Sequence, residues 1–256
     1  MTFAVRKLKK SDDYRQIEAI QRAAWALDDL TIVPAHLLEA MACYNAGYLI
    51  GAFADDGAVG FMLILSTNDP KIQHMHMIGV DPSWQSGHRG IHVGLEMLRF
   101  YAQEIAIPQG VQELEWTYDP LVGRNSNLYI RKIGGDVVRY DVEAYSTTSE
   151  EGVRGLPNDR LLVRWKVTDP LHRSNGVEVP SHVVTDAEEI HGPRFALAVP
   201  LDILALKAKD LAEARRERLR TRAVFQAALR RGYKVTGFVN HAEPQAGNWF
   251  IFEQQH

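Results

Sequence analysis

The chain has 256 residues, 46% hydrophobic and 24% charged, with a formal net charge of −3. That length suits one substantial core plus an extension, and usage this ordinary marks a globular chain rather than a fibrous or disordered one. The net charge gives no global attraction for nucleic acid. No apolar run approaches the ~20 residues of a membrane-spanning helix, and the single cysteine, Cys43, excludes an intramolecular disulfide or a multi-cysteine zinc site.

The N-terminus, Met1 to Lys10, is basic but lacks an apolar stretch and a cleavage site, so no secretory signal is expected and a cytoplasmic location follows. Ala4 to Leu8 predicts a strand. Ser11 with Asp12 and Asp13 predicts a helix start, a hydroxyl cap followed by acidic residues at the positive end of the dipole. Ile17, Ile20, Ala24 and Leu27 form the buried stripe of that helix. A second helix starts near Pro34 and turns Leu37, Leu38 and Met41 inward, with Cys43 expected in the core.

Tyr48 to Phe53 and Ala58 to Leu65 are apolar β-type runs joined by Ala54-Asp55-Asp56-Gly57, a turn sequence that accepts positive φ. Gln73 to Val80 predicts the next strand. A Gly- and His-rich loop follows, then a helix through Met97, Leu98, Tyr101 and Ile105, stopped by Pro108 and Gly110. Glu113 to Tyr118 is a strand, Ser126 to Ile133 a short helix closed by Gly134-Gly135, and Asp136 to Tyr145 a strand. Arg160 to Val167 predicts another strand, and Asp169 to Arg194 is polar and rich in turn residues. The chain ends with a strand at Phe195 to Val199, one long helix from Asp202 to Arg231, and strands at Tyr233 to Val239 and Trp249 to Phe252.

Chemistry concentrates between His74 and Leu98. A strand ends in Val80-Asp-Pro, a glycine-bearing basic loop follows, and a helix starts at once. That arrangement aims backbone N–H groups and a helix N-terminus at one anion, here a diphosphate. Glycines let the main chain approach the ligand, and Arg89 adds a charged fork.

This stretch resembles the GNAT superfamily of N-acetyltransferases, whose Gln/Arg-x-x-Gly-x-Gly/Ala loop grips the pyrophosphate of coenzyme A. Two registers fit, Gln85-Ser-Gly-His-Arg-Gly90 and Arg89-Gly-Ile-His-Val-Gly94. The second is preferred because it places Met97 and Leu98 where the helix must face the sheet. In either register the central glycine is a histidine, His88 or His92. The resemblance implies acyl-CoA contacts at Ile78, Val80, Gln85, Arg89, Gly90, Ile91, His92, Val93 and Gly94. Thr117 to Gly135 is similar to the following GNAT segment, which implies that Asn125 or Asn127 binds the pantetheine arm. Tyr129 is the candidate acid for the departing thiolate. By counting back from Gly134, Ile130 occupies the family's tyrosine position, and Tyr129 lies about 100° further round a helix.

Trp116 to Leu121, Arg124-Asn125, Arg131 to Gly134, Gly155 to Leu161 and Trp165 resemble a branch of long GNAT proteins, some associated with N-acylation of amino acids, including succinyl transfer. The implied co-substrate is acetyl-CoA or succinyl-CoA, with no metal.

Amine attack on a thioester needs a base with pKa near neutrality, which suits histidine. Strict alternation places His74, His76, Ile78 and Val80 on one strand face. His74 also occupies the position where some GNAT enzymes carry a glutamate base. Asp119 is a further base or amine-binding candidate. Arg215, Arg218 and Arg222 recur at helical spacing and read mainly as a solvated face. Arg222, or Arg160, is the candidate for clamping a substrate carboxylate.

The expected fold is α/β: a mixed, mostly antiparallel GNAT-type sheet flanked by helices, with a C-terminal α+β extension. Residues 1–168 would form the acyl-CoA-binding core, 169–194 a linker or surface excursion, and 195–256 a C-terminal helix and strands packed on the core. The expected activity is acyl transfer to the amine of a small molecule, without nucleic-acid or membrane partners. A homodimer stays open, and the alternative is a non-catalytic acyl-CoA-binding or regulatory protein.

Overall fold

A computed structural model describes residues 2–9, 11–25, 32–55, 57–85, 90–145, 155–171, 178–240 and 247–255. The chain divides into two compact units. One runs to Trp116 and takes back Lys166–Asp169, and the other starts at Thr117 and continues to the C-terminus.

The first unit opens with strand β1 (Phe3–Lys7), helix α1 (Ser11–Trp25) and helix α2 (Ala35–Cys43). Asp13, in the first turn of α1, accepts from the Lys9 amide at 3.0 Å and pairs with both outer nitrogens of Arg6 at 2.7 and 2.8 Å. The carboxylate thereby ties the helix start to β1. Ile17 and Ile20 are buried as the spacing predicts, and Leu27 lies outside the described residues. Leu38 is buried, but Leu37 is exposed, because a nine-residue helix presents only one narrow stripe to the sheet. Cys43, expected in the core, is exposed at the end of α2.

Strands β2 (Gly47–Ala54), β3 (Gly57–Ser66), β4 (Ile72–Val80) and β5 (Glu113–Tyr118) follow, with helix α3 (Val93–Tyr101) between β4 and β5. β1, β2, β3 and β4 pair antiparallel in sequence, and β5 pairs parallel with β4. Asp55 takes a φ of 50° in the β2–β3 turn, the conformation its side chain tolerates. Phe61 and Leu63 of β3 join Ile17, Ile20 and Leu38 in one cluster on the α1–α2 face. A Cβ added at Gly60 would stand 2.8 Å from Val93, so Gly60, the residue before Phe61 on β3, looks to the α3 face. The sheet is therefore mixed, mostly antiparallel and flanked by helices.

The second unit contains helix α4 (Gly123–Ser126), strands β6 (Asp136–Asp141) and β7 (Arg160–Lys166), β8 (Val183–Val184), β9 (Arg194–Val199), helices α5 (Ile203–Lys209) and α6 (Leu211–Arg230), and strands β10 (Tyr233–Asn240) and β11 (Asn248–Gln254). β6 and β7 pair antiparallel, and a four-stranded sheet has the order β10-β11-β9-β8. Phe225 of α6 packs edge-on against Phe250 and Phe252 at 5.0 and 5.3 Å.

In the second unit β6 ends at Asp141, short of the expected Tyr145, where Glu143 turns at φ 48°, and two helices depart from the sequence reading. The long C-terminal helix is two helices. Asp210 is extended at φ −151°, and its carboxylate accepts from the Glu213 amide at 2.9 Å, so an N-cap starts α6 where one continuous helix was expected. The expected Ser126–Ile133 helix begins earlier, as α4, and continues as a π-helical stretch from Asn127 to Lys132, in which the Ile133 amide bonds the Leu128 carbonyl.

Candidate functional site

In the first unit the candidate residues lie along β4 and the segment after it. The parallel ladder between β4 and β5 covers only Ile72↔Glu113, Gln73↔Leu114 and His74↔Glu115. Beyond His74, Met75 to Val80 has strand partners on β3 alone among the described residues. The backbone groups on the β5 side of that stretch have no ladder partner among the described residues, and buried backbone polar groups require partners.

The β3–β4 ladder carries a bulge. Ile64 pairs with Met75 and Leu63 with Met77, so His76 is the extra residue. The expected single face of His74, His76, Ile78 and Val80 is therefore broken. Partners across a ladder share a face. His74 opposes Leu65 and Met77 opposes Leu63, on the α1–α2 face. Ile78 opposes Met62 and Val80 opposes Gly60, on the α3 face. Alternation predicts one face only where no residue is inserted.

His74 is partly buried, and its Nδ1 lies 3.6 Å from Oε1 of Glu115, its register partner. His76 keeps an exposed edge. Desolvation of the rest of its ring, helped by the neighbouring His74, holds its pKa below the ordinary imidazole value. It is neutral near pH 7 and able to accept a proton.

After Val80, Asp81 caps a short 3₁₀ turn, Pro82–Trp84, by accepting from the Ser83 amide at 2.9 Å. Gln85 folds back and donates to the Val80 carbonyl at 3.0 Å. Arg89 lies outside the described residues. Gly90 is exposed with φ +81°, a conformation that favours glycine. Ile91 and His92 are half-buried, and His92 is the N-cap of α3. Its carbonyl accepts from Leu95 and Glu96, but no side chain caps the helix among the described residues. The first-turn amides of Val93 and Gly94 lie at the positive end of α3. The Val93 side chain is buried, and among the described residues a Cβ on Gly94 would meet only Ile78, at 3.6 Å.

In the second unit, Asp119 is buried; it accepts from the Leu121 amide at 2.8 Å and pairs with Arg218 of α6. The Tyr129 ring is buried 5.0 Å from the ring of Tyr118, whose hydroxyl burial drives far above the ordinary phenol pKa. Asn125 and Asn127 are half-buried, and Asn127 accepts from Arg131 at 3.4 Å. Arg160 donates to Asn158 at 2.8 Å and sits 5.6 Å above the Tyr145 ring. Arg222 grips Asp159 through two bonds of 2.8 and 2.9 Å. Arg215 is exposed, as expected for a solvated face, but Arg218 is wholly buried. The reading of that arginine run as a solvated face fails at Arg218, because Ala214, Arg218, Thr221 and Phe225 form the inner stripe of α6.

Two residues of consequence escape a reading by motif. Glu115 becomes visible only through its register with His74. Arg218 had a signal in its i, i+3, i+7 spacing with Thr221 and Phe225, masked by the charged residues around it. Among the described residues no cluster of three metal-ligating side chains occurs, and no helix is long and apolar enough to cross a membrane.

No family model matches the sequence, and no curated protein does. Solved structures do match the fold. An N-acetyltransferase from Staphylococcus aureus Mu50 aligns with TM-score 0.52 and 16% identity over 66% of this chain and 100% of its own. A protein from Desulfovibrio desulfuricans assigned to the GNAT family of acetyltransferases gives TM-score 0.51 and 17% identity over 65% of this chain and 100% of its own. The ribosomal-protein-S18-alanine N-acetyltransferase of Escherichia coli gives 0.50 and 15% over 66% of this chain and 96% of its own. About two thirds of the chain therefore has the fold of the GNAT acetyltransferases.

Proposed function

We propose that this chain is an acyl-CoA-dependent N-acyltransferase that moves an acetyl or succinyl group to the amine of a small molecule, with amino acids the first acceptors to try. The observation that carries the reading is the early end of the β4–β5 ladder. β4 leaves its neighbour after His74, and residues 81–92 join its end to the N-terminus of α3, where no side chain caps the helix among the described residues. An open strand edge offers amides and carbonyls to an extended amide-bearing arm. A helix start offers amides and a dipole to a diphosphate.

The chemistry asked of the protein is modest. The neutral amine attacks the thioester carbonyl, a C–N bond forms, the C–S bond breaks, and coenzyme A leaves as thiolate. One proton must leave the nitrogen, and the thiolate must gain one. His74 or His76 takes the first, directly or through water, and this step is worth roughly 10²- to 10⁴-fold in rate. Backbone amides near Met77 to Val80 would stabilise the developing oxyanion. Arg160 and Arg222 remain the candidates for a carboxylate on the acceptor or acyl group, although Arg222 must share its fork with Asp159. Tyr129 is a candidate acid for the thiolate.

Thermal shift with acetyl-CoA and succinyl-CoA, followed by thiol release across a panel of amino acids and polyamines, tests the proposal. Stabilisation together with thiol release supports it. Stabilisation without release from any amine favours a binding or regulatory protein, and no stabilisation by either thioester overturns the reading.

A further inference from the structure

We propose that Glu115 is a positioning residue for His74: its carboxylate favours the imidazole proton on Nδ1 and leaves Nε2 as the atom that accepts a proton from the attacking amine. This inference rests on the reading of His74 as a base.

His74 and Glu115 form the last rung of the parallel ladder, immediately before β4 parts from β5. β5 alternates strictly, with Leu114 and Trp116 buried and Glu115 between them on the other face. Those two anchors fix the backbone from which the carboxylate projects, and the ladder fixes its level against the histidine. Both side chains are largely withdrawn from water, at 23% and 17% exposure, so their interaction is screened less than a surface pair. At 3.6 Å between Nδ1 and Oε1 the two groups lie just beyond hydrogen-bond distance, and the contact is an ion pair when the imidazole carries a proton on both nitrogens.

A negative charge on the Nδ1 side acts twice. In the neutral ring it favours the tautomer with hydrogen on the nearer nitrogen, which leaves the Nε2 lone pair directed away from Glu115. Once Nε2 has taken the amine proton, the same carboxylate offsets the charge of the imidazolium. The other titratable ring beside it, His76, is held below the ordinary imidazole pKa by burial and by the His74 ring.

The test uses the full chain with ¹⁵N-labelled histidine, the His74 signals being assigned by their loss in His74→Gln. At about pH 8, above the ordinary imidazole range, the wild-type spectrum should show a protonated Nδ1 and a bare Nε2. Glu115→Gln should move His74 toward the Nε2–H tautomer. It should also lower kcat on the order of tenfold, a part of the general-base contribution, with KM for acyl-CoA unchanged. A wild-type Nε2–H tautomer overturns the proposal without recourse to any variant. So does a tautomer that Glu115→Gln leaves in place. Full turnover in His74→Gln instead overturns the base reading, and the two failures are told apart because the tautomer is read without any reaction.

Discussion

Arg218 and Asp119 form an ion pair from which solvent is almost wholly excluded, the side chains being 0% and 6% exposed. Asp119 spends its other oxygen on the Leu121 amide, while Nε and Nη1 of Arg218 have no acceptor among the described residues. Burial disfavours the arginine charge, but Asp119 outweighs it and keeps the pKa above the ordinary value. A candidate base identified by its place after β5 is therefore first of all the counter-charge of a buried guanidinium.

Breaking this pair from one side should be costly. Arg218→Met leaves the Asp119 carboxylate buried and unpaired, with an expected loss of about 3–5 kcal/mol. Chemical denaturation of Arg218→Met, Asp119→Asn and the double variant measures it. The double variant should recover part of the loss, and a single-variant loss below ~1 kcal/mol would show that the pair is solvated in solution.

Gly60 is the place where β3 meets the start of α3. A Cβ there would lie 2.8 Å from Val93, 3.1 Å from the Gly79 carbonyl and 3.4 Å from Met97. Gly60→Ala should therefore push the first turn of α3 away from the sheet, costing about 1–3 kcal/mol. It should also weaken acyl-CoA binding, because the turn that moves carries the Val93 and Gly94 amides. Isothermal titration with acetyl-CoA, paired with thermal unfolding, reads both effects; unaltered affinity alongside lost stability would separate α3 from the binding site.

His76 links stability to pH. Its folded pKa is lowered from 6.5, so as pH falls through that value the unfolded chain takes up the proton first and the folded state loses ground. Melting temperatures of wild type and His76→Gln should run parallel above about pH 7.5 and separate between about pH 7 and 5, with the wild type falling faster. Curves that stay parallel throughout would show the ring to be fully hydrated, and its exposed edge keeps the expected separation small.

Asp210→Ala removes the cap that starts α6. The expected loss is about 1 kcal/mol, most of which Asp210→Ser or Asp210→Asn should restore. A loss near zero would mean that α5 and α6 can join as one helix once the carboxylate is gone, a change that circular dichroism would register as added helicity.

The order of elements was legible because most of them end on strong punctuation: Asp55 and Gly57 between β2 and β3, Pro108 and Gly110 after α3, Gly134-Gly135 before β6. Asp210-Leu-Ala-Glu213 also carried its signal, an acidic cap with Glu three residues on, but good helix formers on both sides concealed it. The bulge at His76 left no trace, since an inserted residue changes which face follows without changing the residue types that favour a strand. The π-helical stretch at Asn127–Lys132 is equally silent, and it undoes any count of helical phase from Gly134 back to Tyr129. Arg218 shows the limit of composition: a guanidinium reads as surface until its partner, 99 residues away, is known.

One strand of the first unit carries two stabilities. Gln73 and His74 are held from both sides, whereas Met75 to Val80 hangs from β3 alone among the described residues. Amide hydrogens in the two halves should exchange at different rates, since only one ladder must open in the second half. The sheet can thus yield where β4 runs single without loosening the core beneath it, so accommodation of a guest and integrity of the fold need not compete.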